Sequence, residues 1–551
     1  GAFLLAYLIM LVLMGMPIFL LELIVGQYSG LGPDQAFANM APLFSGLGYC
    51  NLVVITFVTI YYMVIISWTV FYFFASFTLE LGYGSCNNDF NTMGCFSATE
   101  EAKCMENETY YNQICMQVDE ICQSHGLTNA FNRTYCNDTN GDAVPVNHVI
   151  NRTLATAEYF RDYVLSLGNA DWYNFGGINW ELVGCLLFSW IIGYLCVVKG
   201  VKTSGKAVYF TALFPYVILT ALVIQGCILE GAIDGIRLYI FPQWDMLLDI
   251  DVWAQAASQT FYSFGISCGS LITLASYNNF NNNCIKDVLI VSGANAFTSV
   301  YAGFAIFGML GFLAKQMGVP VEEVAADGPG LAFVAYPEAI LRLPAPTAWS
   351  LLFFFMLFIL GLGCQFAGIE AISCLIMDKW PQMRKRQVYV TLGICLTCFI
   401  LAIPMCFDGG IYIFTLMEWN TASWAILLIG FSEVILVAWV YGCNKFLDNM
   451  ADMDMGIFAF QMSNFSRIYY EDYIFPLWAD AIGWMMGLAT LVPLFIIGGW
   501  TIWKGKYRGW ALLQPTKWWK PQSGLTDSRL SLNKNGMSRE SITTLQKVDD
   551  L

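Results

Sequence analysis

Ten apolar stretches, near 3–25, 49–79, 180–198, 207–228, 252–276, 286–313, 347–375, 388–406, 412–441 and 480–503, decide what this chain can fold into. Each is close to the roughly 20 residues a helix needs to cross the hydrocarbon of a bilayer. Hydrocarbon satisfies no free backbone N–H or C=O, so such stretches cross as helices closed on their own hydrogen bonds. Hydrophobic residues make up 57% of the chain and charged residues 12%, a balance that sets a soluble enzyme aside. The fold class is read as an all-α polytopic membrane protein. A net charge of −15 does not point to nucleic acid, because much of the acid lies in loops and the basic residues cluster separately.

The fifth stretch differs from the others. Residues 251–283 read DVWAQAASQTFYSFGISCGSLITLASYNNFNNN, with Gln259, Ser263, Gly265, Ser267, Gly269 and Ser270 in the middle. These residues weaken a helix or carry polar groups into hydrocarbon. Irregular backbone at that depth persists only where it is buried in protein or lines a wet cavity, and transporters use such breaks as binding sites. The competing reading is plain helix packing, since Ser263, Ser267 and Ser299 are small and Gly265-x-x-x-Gly269 is formally a GxxxG. Gln259 and Asn295 argue against it, being costlier to bury than packing requires.

Residues 81–177 form a polar loop far longer than a usual connection. It holds four N-x-S/T sequons, at Asn107, Asn132, Asn137 and Asn151, and six cysteines, Cys86, Cys95, Cys104, Cys115, Cys122 and Cys136. Both features suit an oxidising, extracellular face. Cys86 and Cys95 are expected to be bonded, and the other four stay open among the 15 pairings that six cysteines allow. His125 and His148 have no metal-ligand spacing and read as surface histidines.

With that loop outside, basic residues should fall on alternate, cytoplasmic turns. Lys199, Lys202 and Lys206, then Lys286, then Lys379, Arg384, Lys385 and Arg386, then Lys445, obey the rule, and Glu322, Glu323 and Asp327 fall outside. One more span would place Lys504, Lys506 and Arg508 on the wrong side. Parity asks for another crossing between Lys445 and Tyr473, where the apolar run Gly456–Met462 spans only about 10 Å as a helix. The chain opens inside an apolar segment, Gly1 to Tyr7, without an initiator Met, so an upstream segment is expected. Residues 521–551 read as a disordered cytoplasmic tail.

Nine stretches, in order, resemble the neurotransmitter:sodium symporter family, the Na⁺- and Cl⁻-coupled carriers of amino acids, GABA and monoamines. They are GAFLLAY (1–7), ELIVGQ (22–27), TIYYMVIISW (59–68), SCNNDFNTMGC (85–95), GVKTSGK (200–206), SYNNFNNNC (276–284), DGPGLAFVAYPEA (327–339), GLGCQFAG (361–368) and FPLWAD (475–480). Among its members the chain is most similar to animal amino-acid carriers of the glycine-transporter kind. The resemblance implies an inverted-repeat symporter fold with discontinuous helices. On that mapping 1–80 holds spans 2–3, 81–177 the glycosylated outer loop, 178–442 spans 4–10 and the transport core, 443–473 an inner loop with a remnant of span 11, 474–503 span 12 and 504–551 the tail. Span 1 and most of span 11 are then absent, and 251–283 is span 6.

The resemblance also assigns roles to matching positions. Substrate would be lined by Tyr62, Ile65, Tyr262, Ser263, Gly265, Cys268, Gln365 and Gly368, with Tyr62 and Tyr262 closing an outer lid. Ser263 and Asn295 match ligands of a first sodium site; Leu360, Gly363 and Cys364 match the second. Tyr7, Gln259, Ser263, Asn295 and Ser299 match a chloride cage, where a bound Cl⁻ would balance Na⁺ in a medium of low dielectric. Glu418 matches half of an outer gate, and Tyr277 and Asp378 a cytoplasmic gate. Two departures stand out. Gly363 has no side chain and the Cys364 thiol is a soft, poor sodium ligand, while Ala6 replaces a usual proline before Tyr7 and could change the kink of its span. Gln365 favours a small or polar substrate.

The resemblance implies a multi-pass plasma-membrane symporter that imports a small, glycine-like amino acid, or an amino-acid neurotransmitter, with Na⁺ and Cl⁻. No nucleophile, base or metal constellation suggests an enzyme. The alternative is a non-transporting or regulatory relative that kept the fold and lost ion coupling.

Overall fold

The computed structural model describes residues 1–440 apart from 106–107, 130–134, 138–142, 146–151, 169, 199–200, 280–281, 318–319 and 322–330, together with 469–470, 473–474 and scattered positions between 493 and 501. Eight helical runs among the described residues are long and apolar enough to cross a membrane. They coincide with eight of the ten expected stretches. The other two are 252–276, which is helical in two pieces, and 480–503, most of which lies outside the described residues, as do Gly456–Met462, Lys445, Glu322, Glu323, Asp327 and the tail.

The first stretch folds as α1 (Ala2–Met10) and α2 (Met16–Ser29), joined by a π-helical turn over Leu11–Gly15. Pro17 sits at the start of α2; its ring has no N–H to donate and crowds the preceding turn, which the wider winding accommodates. Thus the irregularity of this span lies at Leu11–Gly15, several residues after Ala6. A short α3 (Pro33–Met40) leads to α4 (Leu47–Ala75), whose face is buried along most of its length. After the outer loop come α5 (Trp180–Val197), α6 (Val201–Ile228) and α7 (Ala232–Ile240). The Asn179 side chain caps α5 by accepting from the N–H groups of Glu181 and Leu182.

The broken stretch is α8 (Ile250–Phe264) and α9 (Ser270–Ala275), followed by α10 (Cys284–Met317), α11 (Pro346–Lys379), α12 (Gln387–Ala402), α13 (Gly410–Asn420) and α14 (Ile426–Ile435). α4 packs along α11, and α1 and α2 lie against α8 and α9. Leu213, Val217 and Ile224 of α6 and Ile285 and Leu289 of α10 stay exposed, as apolar side chains facing lipid do. Towards the outer end of α4, Trp68 and Tyr72 are fully buried among Phe160, Phe333 and Phe354, and the Tyr72 hydroxyl donates to the Phe333 carbonyl at 3.0 Å. A buried polar tip with a partner avoids the cost of an unpaired one.

In the outer loop the expected Cys86–Cys95 disulfide is present, and the open pairings resolve as Cys104–Cys115 and Cys122–Cys136. Strands Glu108–Tyr111 and Ile114–Gln117 pair antiparallel through Asn112 and Gln113, both with positive φ, the twist-matched form of a two-residue hairpin turn. Asn137 closes the strand Tyr135–Asn137; Asn107, Asn132 and Asn151 lie outside the described residues.

Candidate functional site

Between α8 and α9 the chain runs through Gly265 (φ 65°), Ser267 (φ 64°) and Gly269 (φ 72°), three left-handed residues at alternate positions. The two glycines take this conformation freely. Ser267 does not, and a side chain there costs on the order of 1–3 kcal/mol unless its surroundings impose it. They do: the Ser267 N–H donates to Glu22 Oε1 of α2 at 2.6 Å, and both residues are 0% exposed. The second buried carboxyl, Glu433 of α14, accepts from Asn51 Nδ2 of α4 at 2.9 Å and lies in contact with Glu22. Four helices thus meet at the break through polar atoms that lipid could not satisfy.

One turn before the break, Ser263 of α8 faces Asn295 of α10. The Ser263 hydroxyl donates to Asn295 Oδ1 at 3.2 Å, Asn295 Nδ2 donates back to Ser263 Oγ at 2.8 Å, and it also reaches the hydroxyl of buried Tyr7 on α1 at 3.5 Å. Three helices therefore converge on one group of hard oxygens and amide and hydroxyl donors. Such a set suits a hard cation through its oxygens and an anion through its O–H and N–H groups. Gln259 and Ser299 are exposed. They stand one turn from Ser263 and Asn295 on helices that reverse direction across a short connection, so both steps run the same way.

The Tyr61 hydroxyl meets the Tyr262 hydroxyl at 3.4 Å, with Glu418 close to both. The Tyr62 hydroxyl instead lies against the Cys364 thiol. Gly363 and Cys364 offer no side-chain oxygen of the kind a sodium ion takes. The nearest atom to a Cβ at Gly363 would be Thr211 Oγ1 of α6, at 3.2 Å, and Leu360 is exposed. Across the pocket positions, Gln365 is buried with its amide donating to the Thr59 carbonyl at 2.9 Å. Its polarity is thus directed into the α4–α11 contact. A Cβ at Gly368 would stand 2.6 Å from Thr59 Oγ1, and Cys268 is buried beside the break while Ile65 is half-buried.

Tyr277, just past α9, donates to Cys374 Sγ at 3.5 Å, and Cys374 lies 3.7 Å from Asp378 Oδ2. Asp378 forms an ion pair with Arg384, and the Gln35 amide of α3 donates to its backbone carbonyl at 3.1 Å. Sequence reasoning passed over Glu22, Glu433, Asn51, Tyr61 and Asp34. Carboxylates inside apolar stretches are a signal in themselves, because such residues are rare in spans and face the protein interior.

Comparison with known proteins adds an independent line. The model of the sodium:neurotransmitter symporter family matches residues 1–127 and 109–457. A sodium- and chloride-dependent glycine transporter 1 from Xenopus laevis is 40% identical over 524 residues, covering 90% of this chain and 78% of the relative. A sodium- and chloride-dependent GABA transporter 2 from Bos taurus is 36% identical over 529 residues, 92% of this chain and 81% of its own length. A sodium- and chloride-dependent creatine transporter 1 from Bos taurus is 37% identical over 526 residues, 90% and 77%.

Proposed function

Because this chain belongs to the sodium:neurotransmitter symporter family, and is thus a multi-pass plasma-membrane transporter and not an enzyme, we propose that it imports a small amino acid of the glycine kind together with Na⁺ and Cl⁻. The observation that carries the reading is the convergence of Tyr7, Ser263 and Asn295 beside the unwound segment 265–269. When bound, Na⁺ and Cl⁻ would supply fixed opposite charges next to that segment. Ser263 and Asn295 would hold the cation through Oγ and Oδ1; Tyr7, Gln259, Ser263, Asn295 and Ser299 would turn hydroxyl and amide hydrogens to the anion.

The N–H groups of Gly265, Ile266 and Ser267 are taken by Tyr262, Phe261 and Glu22, so the unwound segment would meet an amino acid mainly through its carbonyl oxygens. Gly265 leaves room and Ile65 and Cys268 would provide an apolar wall, which suits a small side chain, while Gly368 lets Thr59 of α4 pack close behind it. Tyr62 and Tyr262, with Tyr61 joined to Tyr262, would close the outer side near Glu418, while release would break the Tyr277–Cys374–Asp378 contacts. The transport core on this reading is 178–442 with the spans of 1–80. Uptake of radiolabelled glycine, GABA and creatine by cells displaying the protein tests it: accumulation that collapses when choline replaces Na⁺ is expected. Surface expression without uptake of any of the three supports the second reading, a non-transporting relative, which Gly363 and Cys364 favour.

A further inference from the structure

We propose that the cytoplasmic end of the broken helix carries a proton-binding site, formed by Asp34 of α3 facing Asp378 of α11, and that a proton held there keeps this end closed. The inference rests on reading Tyr277 and Asp378 as the cytoplasmic gate.

The geometry is a close approach of two acids around a glycine. A Cβ at Gly32 would stand 3.1 Å from Asp378 Oδ2 and 3.4 Å from Asp34 Oδ1, so the two carboxyl oxygens flank a space no larger than one methyl group. Asp34 is 6% exposed, and its Oδ1 has no hydrogen-bond partner among the described residues. The backbone at Gly48, where α4 begins, presses against the Asp34 backbone and closes the other side.

The cations nearby hydrogen-bond other groups than Asp34. Arg384 is ion-paired with Asp378, and Lys379 donates to the Tyr49 hydroxyl, with its ammonium 5.1 Å from the centre of that ring. The remaining titratable side chains around the gate are Tyr277 and Cys374, both neutral donors in their contacts, and the buried Glu370 of α11, which lies near Tyr277. A buried oxygen with no donor, opposite a second carboxylate, is satisfied by a proton placed on it.

Burial raises the Asp34 carboxyl from 3.8 to about 6; the charge of Asp378 adds to the rise, while backbone N–H groups and Lys379 oppose it. Opening the gate to water would return Asp34 to the ordinary carboxylate range. The closed gate therefore binds the proton more tightly than the open one, and acid favours closure. For a group at about 6 when closed and at its ordinary value when open, lowering cytoplasmic pH from 7.5 to 5.5 shifts the equilibrium toward closed by about fourfold.

Cys374 provides the readout, because it is buried in the closed gate. Inside-out vesicles are treated with a thiol reagent at bath pH 5.5 to 7.5, and modification at Cys374 is quantified by mass spectrometry. The ratio of wild type to Asp34→Asn cancels the pH dependence of the thiol itself. That ratio is expected to fall about fourfold from pH 7.5 to 5.5, and Asp34→Glu should keep the wild-type trend. Parallel profiles in wild type and Asp34→Asn, in vesicles where Cys374 labelling still responds to Na⁺ and Cl⁻, overturn the proton site alone. Labelling indifferent to both ions and to Tyr277→Ala overturns the gate reading, and the proton site with it.

Discussion

Replacing Glu22 with alanine removes the acceptor that holds the break in shape. Its Oε1 takes the Ser267 N–H at 2.6 Å, at a residue held at φ 64° and 0% exposed. A buried N–H left without a partner costs about 1–3 kcal/mol. The strained φ of Ser267, on the order of 1 kcal/mol or more, then loses the contact that imposed it. Together these give about 2–4 kcal/mol against the local structure, or about 30- to 800-fold in its opening equilibrium. Hydrogen–deuterium exchange of the protein in nanodiscs, followed on peptides covering 262–272, reads that equilibrium directly. Glu22→Ala should lose protection by that factor. Glu22→Gln keeps the acceptor, and its new amide hydrogens face the Glu433 carboxyl, so it should stay within about tenfold of wild type. Equal protection in wild type and alanine variant, or equal loss in both variants, would refute the idea that this carboxyl fixes the break.

Other expectations follow from single contacts. Gln259→Ala or Ser299→Ala should abolish the chloride dependence of uptake, checked by titrating Cl⁻ against gluconate; an unchanged titration removes both from the cage. Introducing Gly363→Asp with Cys364→Ser should steepen the sodium dependence, read as the slope of uptake against Na⁺. Tyr61→Phe deletes the hydroxyl that meets Tyr262 and should raise KM by up to about tenfold, from a hydrogen bond of about 0.5–1.5 kcal/mol; Tyr62→Phe, measured beside it, shows which tyrosine substrate touches. Replacing Cys122 and Cys136 by serine should destabilise the outer loop by about 3 kcal/mol, given the 14-residue separation they close, visible as faster proteolysis there.

Much of this architecture was legible because the bilayer imposes length and apolarity on every span. The break was legible for the same reason: Gly265, Gly269 and the serines conflict with an apolar helix, and the structure unwinds there. What stayed hidden depended on partners distant in sequence. Ser267 is a poor choice for a left-handed residue, and only Glu22, far earlier in the chain, makes it tenable. The choice between Tyr61 and Tyr62 turns on about 100° of helix rotation, which two adjacent tyrosines cannot encode by themselves. Gln365 looked like a pocket residue, yet its amide is directed at the backbone of α4. Only one cysteine pair was expected, and the other two needed the hairpin and strand geometry of the loop.

The glycines of the first span have a mechanical consequence. Gly15 leaves no room for a Cβ against Thr260 of α8, and Gly26 leaves none against the Ile272 carbonyl of α9. One helix is therefore seated on both sides of the break, like a splint across a fracture. Pivoting α9 against α8 must either unseat one of these contacts or flex the splint itself. The wide π turn Leu11–Gly15 lies next to the first contact, where such flexing would fall. A Gly26→Ala splint would push α9 away, whereas stiffening the turn would lock both halves of the broken helix to a common axis.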